Sequence, residues 1–315
     1  MSSIITVSIF QSALELGLMY ALVALALFIS FTILNIADLT TDGCFTLGCA
    51  VGAIVTLSGH PFLGIIAAMI SGACAGFVTA LLQTKFGVES ILAGIIVNTA
   101  LYTVNIFIMT SQVSIFGVDT IFSLAKDSFL QQFFGDWYKV VILVVIVGLI
   151  ALALWWFLGT TLGMSIRATG DNAEMVKSSS INPTFTITVG LCLANSLTAL
   201  SGVLIAQYQK SADINIGTGM VTIALASLII GQSLIGNKGS TLRRVIGTIA
   251  GSVLYRFIVA VALRLSVPAE ALKLVSAMIV AVAIALPYVR KKAALKKREF
   301  ANYRENKSGR EEKNA

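Results

Sequence analysis

Residues able to do chemistry are few in this 315-residue chain, and they sit at a handful of places. There is one histidine, His60, and the four cysteines (Cys44, Cys49, Cys74 and Cys192) lie inside apolar runs without metal-like spacing, so they read as small buried hydrophobes. No GxxxxGKS/T phosphate loop, GxSxG or HExxH stretch is present, nor a pair of aspartates in opposed apolar runs, so the chain reads as no enzyme and as holding no metal or nucleotide of its own. What remains is non-covalent chemistry. Asp38, Thr40, Thr41 and Asp42 stand against Gly43, and Asp213, Asn215 and Gly217 form a second such group. Asn98, Asn105, Asn195, Gln207 and Gln232 lie in apolar context. Carboxylates at bilayer depth are costly and face a cavity or a partner, and amides there seek a neighbouring helix or a passing solute. The first group is open to two readings: a broken helix whose free backbone groups line a solute path, or a helix cap at the cytoplasmic interface. The second group poses the same choice on the outer side. The solute-path candidates are Asp38, Thr41, Asp42, Asn98, Asn195 and Gln232. Arg256 could meet a solute carboxylate, pair with an acid of the protein, or snorkel outward.

A different chemistry is expected of residues 159–182, a polar stretch between two long apolar runs. Gly170 breaks what precedes it. Asp171 is placed to cap a short helix, with Glu174 three residues on to close a capping box. Ala173, Met175 and Val176 give that helix an apolar side, and Arg167, Asp171, Asn172 and Glu174 a polar rim. Asn182-Pro183 opens the following run, with proline in the first helical position. A short capped helix with an apolar side, held between spans, is suited to pressing on another protein.

The elements that must position these residues are membrane helices. The chain is 57% hydrophobic and 12% charged, against about a quarter charged in soluble domains. Its apolar runs are continuous and near the length that crosses a bilayer core of about 30 Å, which favours helices over a barrel. No positive n-region marks a cleavable signal. Nine spans are expected, at about 11–31, 39–58, 62–84, 90–110, 139–158, 183–208, 217–236, 244–264 and 269–289. A mixed loop, 111–138, carries a short amphipathic piece at 121–134. The basic tail, 290–315, places the C-terminus in the cytoplasm by the positive-inside rule, and with nine spans the N-terminus outside. The net charge of +7 has the same origin and reads as an anchor to anionic lipid, with no nucleic-acid partner. Gly72-x3-Gly76 and Gly247-x3-Gly251 fit close helix packing, His60-Pro61 an outer turn, and Trp137, Tyr138, Trp155 and Trp156 an interfacial belt.

The chain also echoes itself. Asp38 leads into Gly43 as Asp213 leads into Gly217, ISGACAGF (70–77) returns as IAGSVLYRF (249–257), and Glu89 precedes one span as Glu270 precedes another. Two halves, about 35–110 and 213–289, would then form an inverted repeat, as many transporters do. The expected fold is thus an all-α polytopic membrane protein: a transmembrane domain over 1–289 with two inverted halves joined through the loop 159–182.

The run ATGDNAEMVKSSSIN (168–182), the stretch from Gly190 to Gly236 and NIADLTTDGCFTLGCAVGA (35–53) resemble the permease subunits of ABC importers, in the branch with the branched-chain amino-acid and ribose permeases. Within it the chain is most similar to permeases paired with a lipoprotein-like binding protein, some proposed to carry aromatic amino acids. The resemblance implies a multi-pass protein of a bacterial-type cell membrane, a second permease subunit (homodimer by default) and two cytoplasmic ABC ATPases that bind ATP and Mg. It also implies an extracytoplasmic solute-binding protein. In that family the polar loop between the halves carries the coupling helix, here Arg167 through Ser180. The alternative is an ion-coupled secondary transporter of a small metabolite, which would want ionisable residues well inside several spans; an intramembrane enzyme is a third reading.

Overall fold

A computed structural model describes residues 7–126, 133, 135–235 and 240–264, with isolated positions at 274, 277–278, 281–282 and 285. Apart from those positions, the ninth expected span (269–289), Glu270 and the tail 290–315 lie outside the described residues, as does part of 121–134. The described helices are α1 (Val7–Leu27, running on through a π-type turn to Ile33), α2 (Thr41–Leu57), α3 (Pro61–Thr84), α4 (Ser90–Met109), α5 (Ile121–Lys126), α6 (Tyr138–Gly159), α7 (Thr161–Asp171), α8 (Ala173–Ser178), α9 (Pro183–Gln209), α10 (Met220–Ile235) and α11 (Thr241–Arg264). Two short strands, β1 (Gln112–Ser114) and β2 (Ser211–Asp213), pair antiparallel with Val113 opposite Ala212.

Each of the first eight expected spans is a helix, but only six of them are long and apolar enough to cross a membrane: Val7–Ile33, α3, α4, α6, α9 and α11. The expected spans 39–58 and 217–236 shorten to α2 and α10. In both, the chain enters the bundle in non-helical form first, as an extended piece at 35–39 and a turn at 214–219. Sequence hydropathy places a span boundary only to within a few residues, so residue 39 and residues 217–219 are counted with the helices that follow.

α1 and α9 form the centre and are buried along most of their length. They are enclosed by α2, α3, α10 and α11. Small residues make this possible. A Cβ at Gly72 or Gly76 would lie 2.5 Å from the carbonyl oxygens of Asn195 and Leu191 on α9, and a Cβ at Gly48 would run into Ala199. Gly231, Gly247 and Gly251 bring α10 and α11 equally close. The outer faces of α3, α4 and α6 carry exposed Ile66, Ile70, Phe107, Leu149 and Leu152, the surface that lipid would cover.

The bundle has two ends. At one, Gly170 packs on the Ile33 carbonyl and Gly190 on Leu34, next to α7 and α8. At the other lies the β1–β2 strand pair, where Gln207 Nε2 donates to Thr56 Oγ1 at 3.1 Å and to the Pro61 carbonyl at 3.0 Å. His60 precedes α3 here with Pro61 in its first turn, as a turn at a bundle end requires. Trp137 and Tyr138 lie at one end of α6, exposed Trp155 and Trp156 at the other.

Candidate functional site

α2 begins deep in the bundle. Asp38, 3% exposed, accepts the Thr40 amide on Oδ1 at 2.9 Å and the Asn195 side-chain amide on Oδ2 at 2.8 Å. The Thr41 hydroxyl donates to the Asp38 carbonyl at 3.2 Å. Asn195 stands twelve residues beyond the start of α9, which at 1.5 Å per residue is about 18 Å along a helix of about 40 Å. Asp38 therefore helps fix the start of α2, but near mid-depth and not at a boundary. The expectation of a cap at the membrane interface is corrected in that respect: residues 35–39 run back into the bundle before the helix starts.

α10 begins at the same level, reached from the opposite end. The Asp42 carboxylate accepts the Gly219 amide on Oδ2 at 2.9 Å and the Val221 amide on Oδ1 at 2.8 Å. Gly219 has φ +86°, a conformation that a residue with a Cβ rarely adopts, and it turns its amide toward Asp42. The partial positive charge of the α10 N-terminus is thus met by a carboxylate of the chain itself. Asp213 stays at the end with the β1–β2 pair, where its Oδ1 accepts the Asn215 amide at 2.7 Å. From their common level α2 and α10 run apart: α2 toward the β1–β2 pair, α10 toward the opposite end, where Gln232 Nε2 donates to Thr32 Oγ1 at 3.0 Å.

Beside this meeting point is a cavity of about 280 Å³. Asp42, Gly43 and Thr46 of α2 form one wall, Asn98, Thr99, Tyr102 and Asn105 of α4 another, and Ile214, Gly217 and Thr218 the third. Of the solute-path candidates, Asp42 and Asn98 line it. Asp38, Thr41 and Asn195 stand apart from the lining as struts that fix where α2 starts, and Gln232 ties α10 to the end of α1. Asn105 is 1% exposed; its Nδ2 donates to the Gly43 carbonyl at 3.1 Å, and its Oδ1 has no partner among the described residues. Thr46, Thr99, Tyr102 and Thr218 were not expected here. A signal existed in the sequence: Asn98, Tyr102 and Asn105 recur at helical spacing on one face of a span. Gln207 has become a strut at the end with the β1–β2 pair, and the Arg256 guanidinium lies 3.7 Å from the Tyr20 ring centroid, a cation–π contact inside the fold.

The second candidate feature is the knob formed by α7 and α8. Thr160 caps α7, accepting the Gly163 amide at 3.3 Å. Asp171 is the last residue of α7 and not the cap of the next helix. That cap is Asn172, whose Oδ1 accepts the Met175 amide at 3.0 Å. The shift follows from Gly170, which does not break the helix. It stays helical because its lack of a side chain lets α7 pack on the Ile33 carbonyl. Glu174 consequently closes no box with Asp171 and accepts Lys177 Nζ at 2.9 Å. Val176 is 4% exposed and packs within the chain, whereas Met175 is 69% exposed, so the expected apolar contact narrows to Met175 with half-buried Ala173 beside it. Arg167, Asp171, Asn172 and Glu174 are exposed around it. The knob is fastened by a 2.8 Å hydrogen bond between the hydroxyls of Thr169 and Thr186 and by buried Ile166. Asn182 caps α9 by accepting the Thr184 amide at 3.0 Å, with Pro183 first in the helix as expected.

Comparison with known proteins covers nearly all of these elements. Residues 9–286 match the family model described as branched-chain amino acid transport system / permease component. The chain is 32% identical over 271 residues to a tyrosine transport system permease protein of Clostridioides difficile, covering 85% of this chain and 88% of that one. It is 29% identical over 284 residues to an uncharacterised protein of Rickettsia prowazekii (88% and 97% covered). It is 30% identical over 224 residues to the ribose import permease of Escherichia coli K12 (70% and 67%). No solved structure matches the chain.

Proposed function

The chain belongs to the family of branched-chain-type permease components of ABC transport systems, and from that premise we propose that it is the translocating subunit of an importer for a small solute, an amino acid. In this reading the solute arrives from an extracytoplasmic binding protein. Two cytoplasmic ATPases supply the work, and a second permease subunit, by default an identical chain, completes the membrane part. The knob Arg167–Ser180 and the C-terminus face the cytoplasm, and the β1–β2 strand pair faces outward. The cavity at the meeting of α2 and α10 lies on the solute path, and the two half-helices belong to inverted halves. An amino acid is favoured over a sugar by the greater coverage of the tyrosine permease among the relatives.

The observation that carries the reading is the continuous set of contacts between knob and cavity. Thr169 holds Thr186 at the start of α9, and Gly170 sits on the end of α1. Asn195, further along α9, holds Asp38; four residues on, Asp42 holds the start of α10. A push on a rigid knob therefore reaches the residues that fix both half-helices. An ion-coupled carrier would use the buried carboxylates, but Glu15, Asp38 and Asp42 are each engaged by donors of the chain: Glu15 accepts Gln11 at 3.0 Å and Tyr208 at 2.6 Å.

The test is co-purification of the ATPase encoded with this chain. Met175→Asp is expected to lose the ATPase while the permease remains folded. An ATPase retained by Met175→Asp, or uptake that persists with all partner ATPases deleted, overturns the reading.

A further inference from the structure

A second cavity, of about 380 Å³, lies between the first part of α1 and the last part of α11. Its lining carries Ser8 and Ser12 of α1 and Arg256 and Arg264 of α11; the rest is aliphatic, with no acid. Leu263 and Arg264 in that lining are exposed, so the cavity opens on the surface of the bundle. Arg256 stands eight residues before the end of α11, about 12 Å into a helix of about 36 Å. A cation at that depth is costly and faces a cavity or a partner. Among the described residues the protein supplies no counter-ion. Arg256 makes no ion pair, and α11 contains no Asp or Glu. Glu15, the single acid of α1, has its oxygens on Gln11 and Tyr208. The Tyr20 ring meets the charge from one side, and Nε is covered. The two terminal nitrogens carry four of the five N–H groups. They find no acceptor among the described residues and are not covered, so they stand open to the cavity.

We propose that this groove is a binding site for an anionic phospholipid, with Arg256 as the main donor to its phosphate and Arg264, Ser8 and Ser12 as further donors. A phosphodiester brings one negative charge and oxygens that a guanidinium engages as a fork, and its acyl chains suit the aliphatic part of the lining. An amino-acid solute would bring its ammonium to the same two arginines and find no carboxylate in the lining to receive it. A small inorganic anion would leave the aliphatic wall unused. The assignment depends neither on the identity of the solute nor on the ATPase.

The experiment is thermal unfolding of the purified full-length chain in detergent, titrated with dioleoylphosphatidylglycerol, dioleoylphosphatidylcholine, inorganic phosphate and L-tyrosine. A ligand that binds only the folded form raises the midpoint with its concentration. Phosphatidylglycerol is expected to raise it well beyond phosphatidylcholine, which has the same chains but no net charge. Arg256→Gln is expected to need about tenfold more phosphatidylglycerol for the same rise, as loss of a charge-assisted contact would. Arg264→Gln, at an exposed position, is expected to need about threefold more. The basic tail is a competing source of lipid attraction, so Lys296→Gln with Lys297→Gln serves as the control and is expected to respond as the unaltered chain does. Equal protection by phosphatidylcholine overturns the assignment, as does protection by phosphate or tyrosine that matches phosphatidylglycerol. So does protection by none of the four, the result if a second copy or another segment of the chain fills the groove. A response lost with the tail lysines, or undiminished in folded Arg256→Gln, overturns it too. Should Arg256→Gln not fold, an unchanged response in Arg264→Gln decides against the site in its place.

Discussion

The side-chain amide of Asn195 donates to the Asp38 carboxylate at 2.8 Å, joining the middle of α9 to a residue 157 positions earlier that fixes where α2 begins. Both groups are buried, at 1% and 3% exposure. Removing one partner strands the other, at a cost of about 1–3 kcal/mol. Asp38→Ala and Asn195→Ala should each lower stability by that order in chemical unfolding of the detergent-solubilised chain. The double variant should cost less than the sum of the two, since the second change removes a group already stranded. Additive losses would show that the pair is not coupled.

The Asp42 carboxylate is harder to replace, because both oxygens are used, one by Gly219 and one by Val221. Asp42→Asn keeps the shape but leaves one oxygen and one NH2 where two acceptors stood, so an amide donor of α10 faces another donor. The expected outcome is a folded protein less stable by about 1–3 kcal/mol, in which the turn 214–219 exchanges its amide hydrogens faster. Hydrogen exchange on this segment measures the effect, and unchanged protection of Gly219 and Val221 would refute the capping role.

How much of this was legible in the sequence follows from what hydropathy can and cannot see. Helix-forming apolar runs gave the positions of the described spans to within a few residues, and Gly72, Gly76, Gly247 and Gly251 marked close contacts that the fold contains. Only residue 39 and residues 217–219 of the two non-helical entries were absorbed into expected spans, because a bilayer-length window does not register where the helix itself starts. Asp42 was singled out, but not its partners, which lie 177 and 179 positions away and present only backbone amides; no side-chain type announces them. Asp171 was expected to cap the short helix because a glycine before it suggested a break. Only the packing of Gly170 on Ile33 explains why the helix continues by one residue.

That packing yields a further prediction. A Cβ at position 170 would run into the Ile33 carbonyl, so Gly170→Ala must push α7 away from the end of α1. The displacement falls on the fastening of the knob. In proteoliposomes with the partner subunits, uptake per ATP hydrolysed should fall about tenfold, the range of an energetic change of about 1.4 kcal/mol. Normal coupling in Gly170→Ala would show that the knob moves independently of α1.

The side of the membrane on which the knob lies can be read directly. Asn172 is exposed at its tip, so Asn172→Cys presents a thiol to water. Native Cys44 and Cys49 are buried, with their thiols on the carbonyls of Asn195 and Gly202 at 3.2 and 3.1 Å, and exposed Cys74 lies within α3 in the apolar part of the bundle surface. A cysteine-less background with Ser or Ala at Cys44, Cys49, Cys74 and Cys192 leaves position 172 as the sole label site. A charged maleimide should then react in inverted vesicles and not in intact cells, because the reagent cannot cross the bilayer. An outward-facing position would give the opposite pattern. Labelling in intact cells would place the knob outside, reverse every span, and remove the surface on which a cytoplasmic ATPase could act.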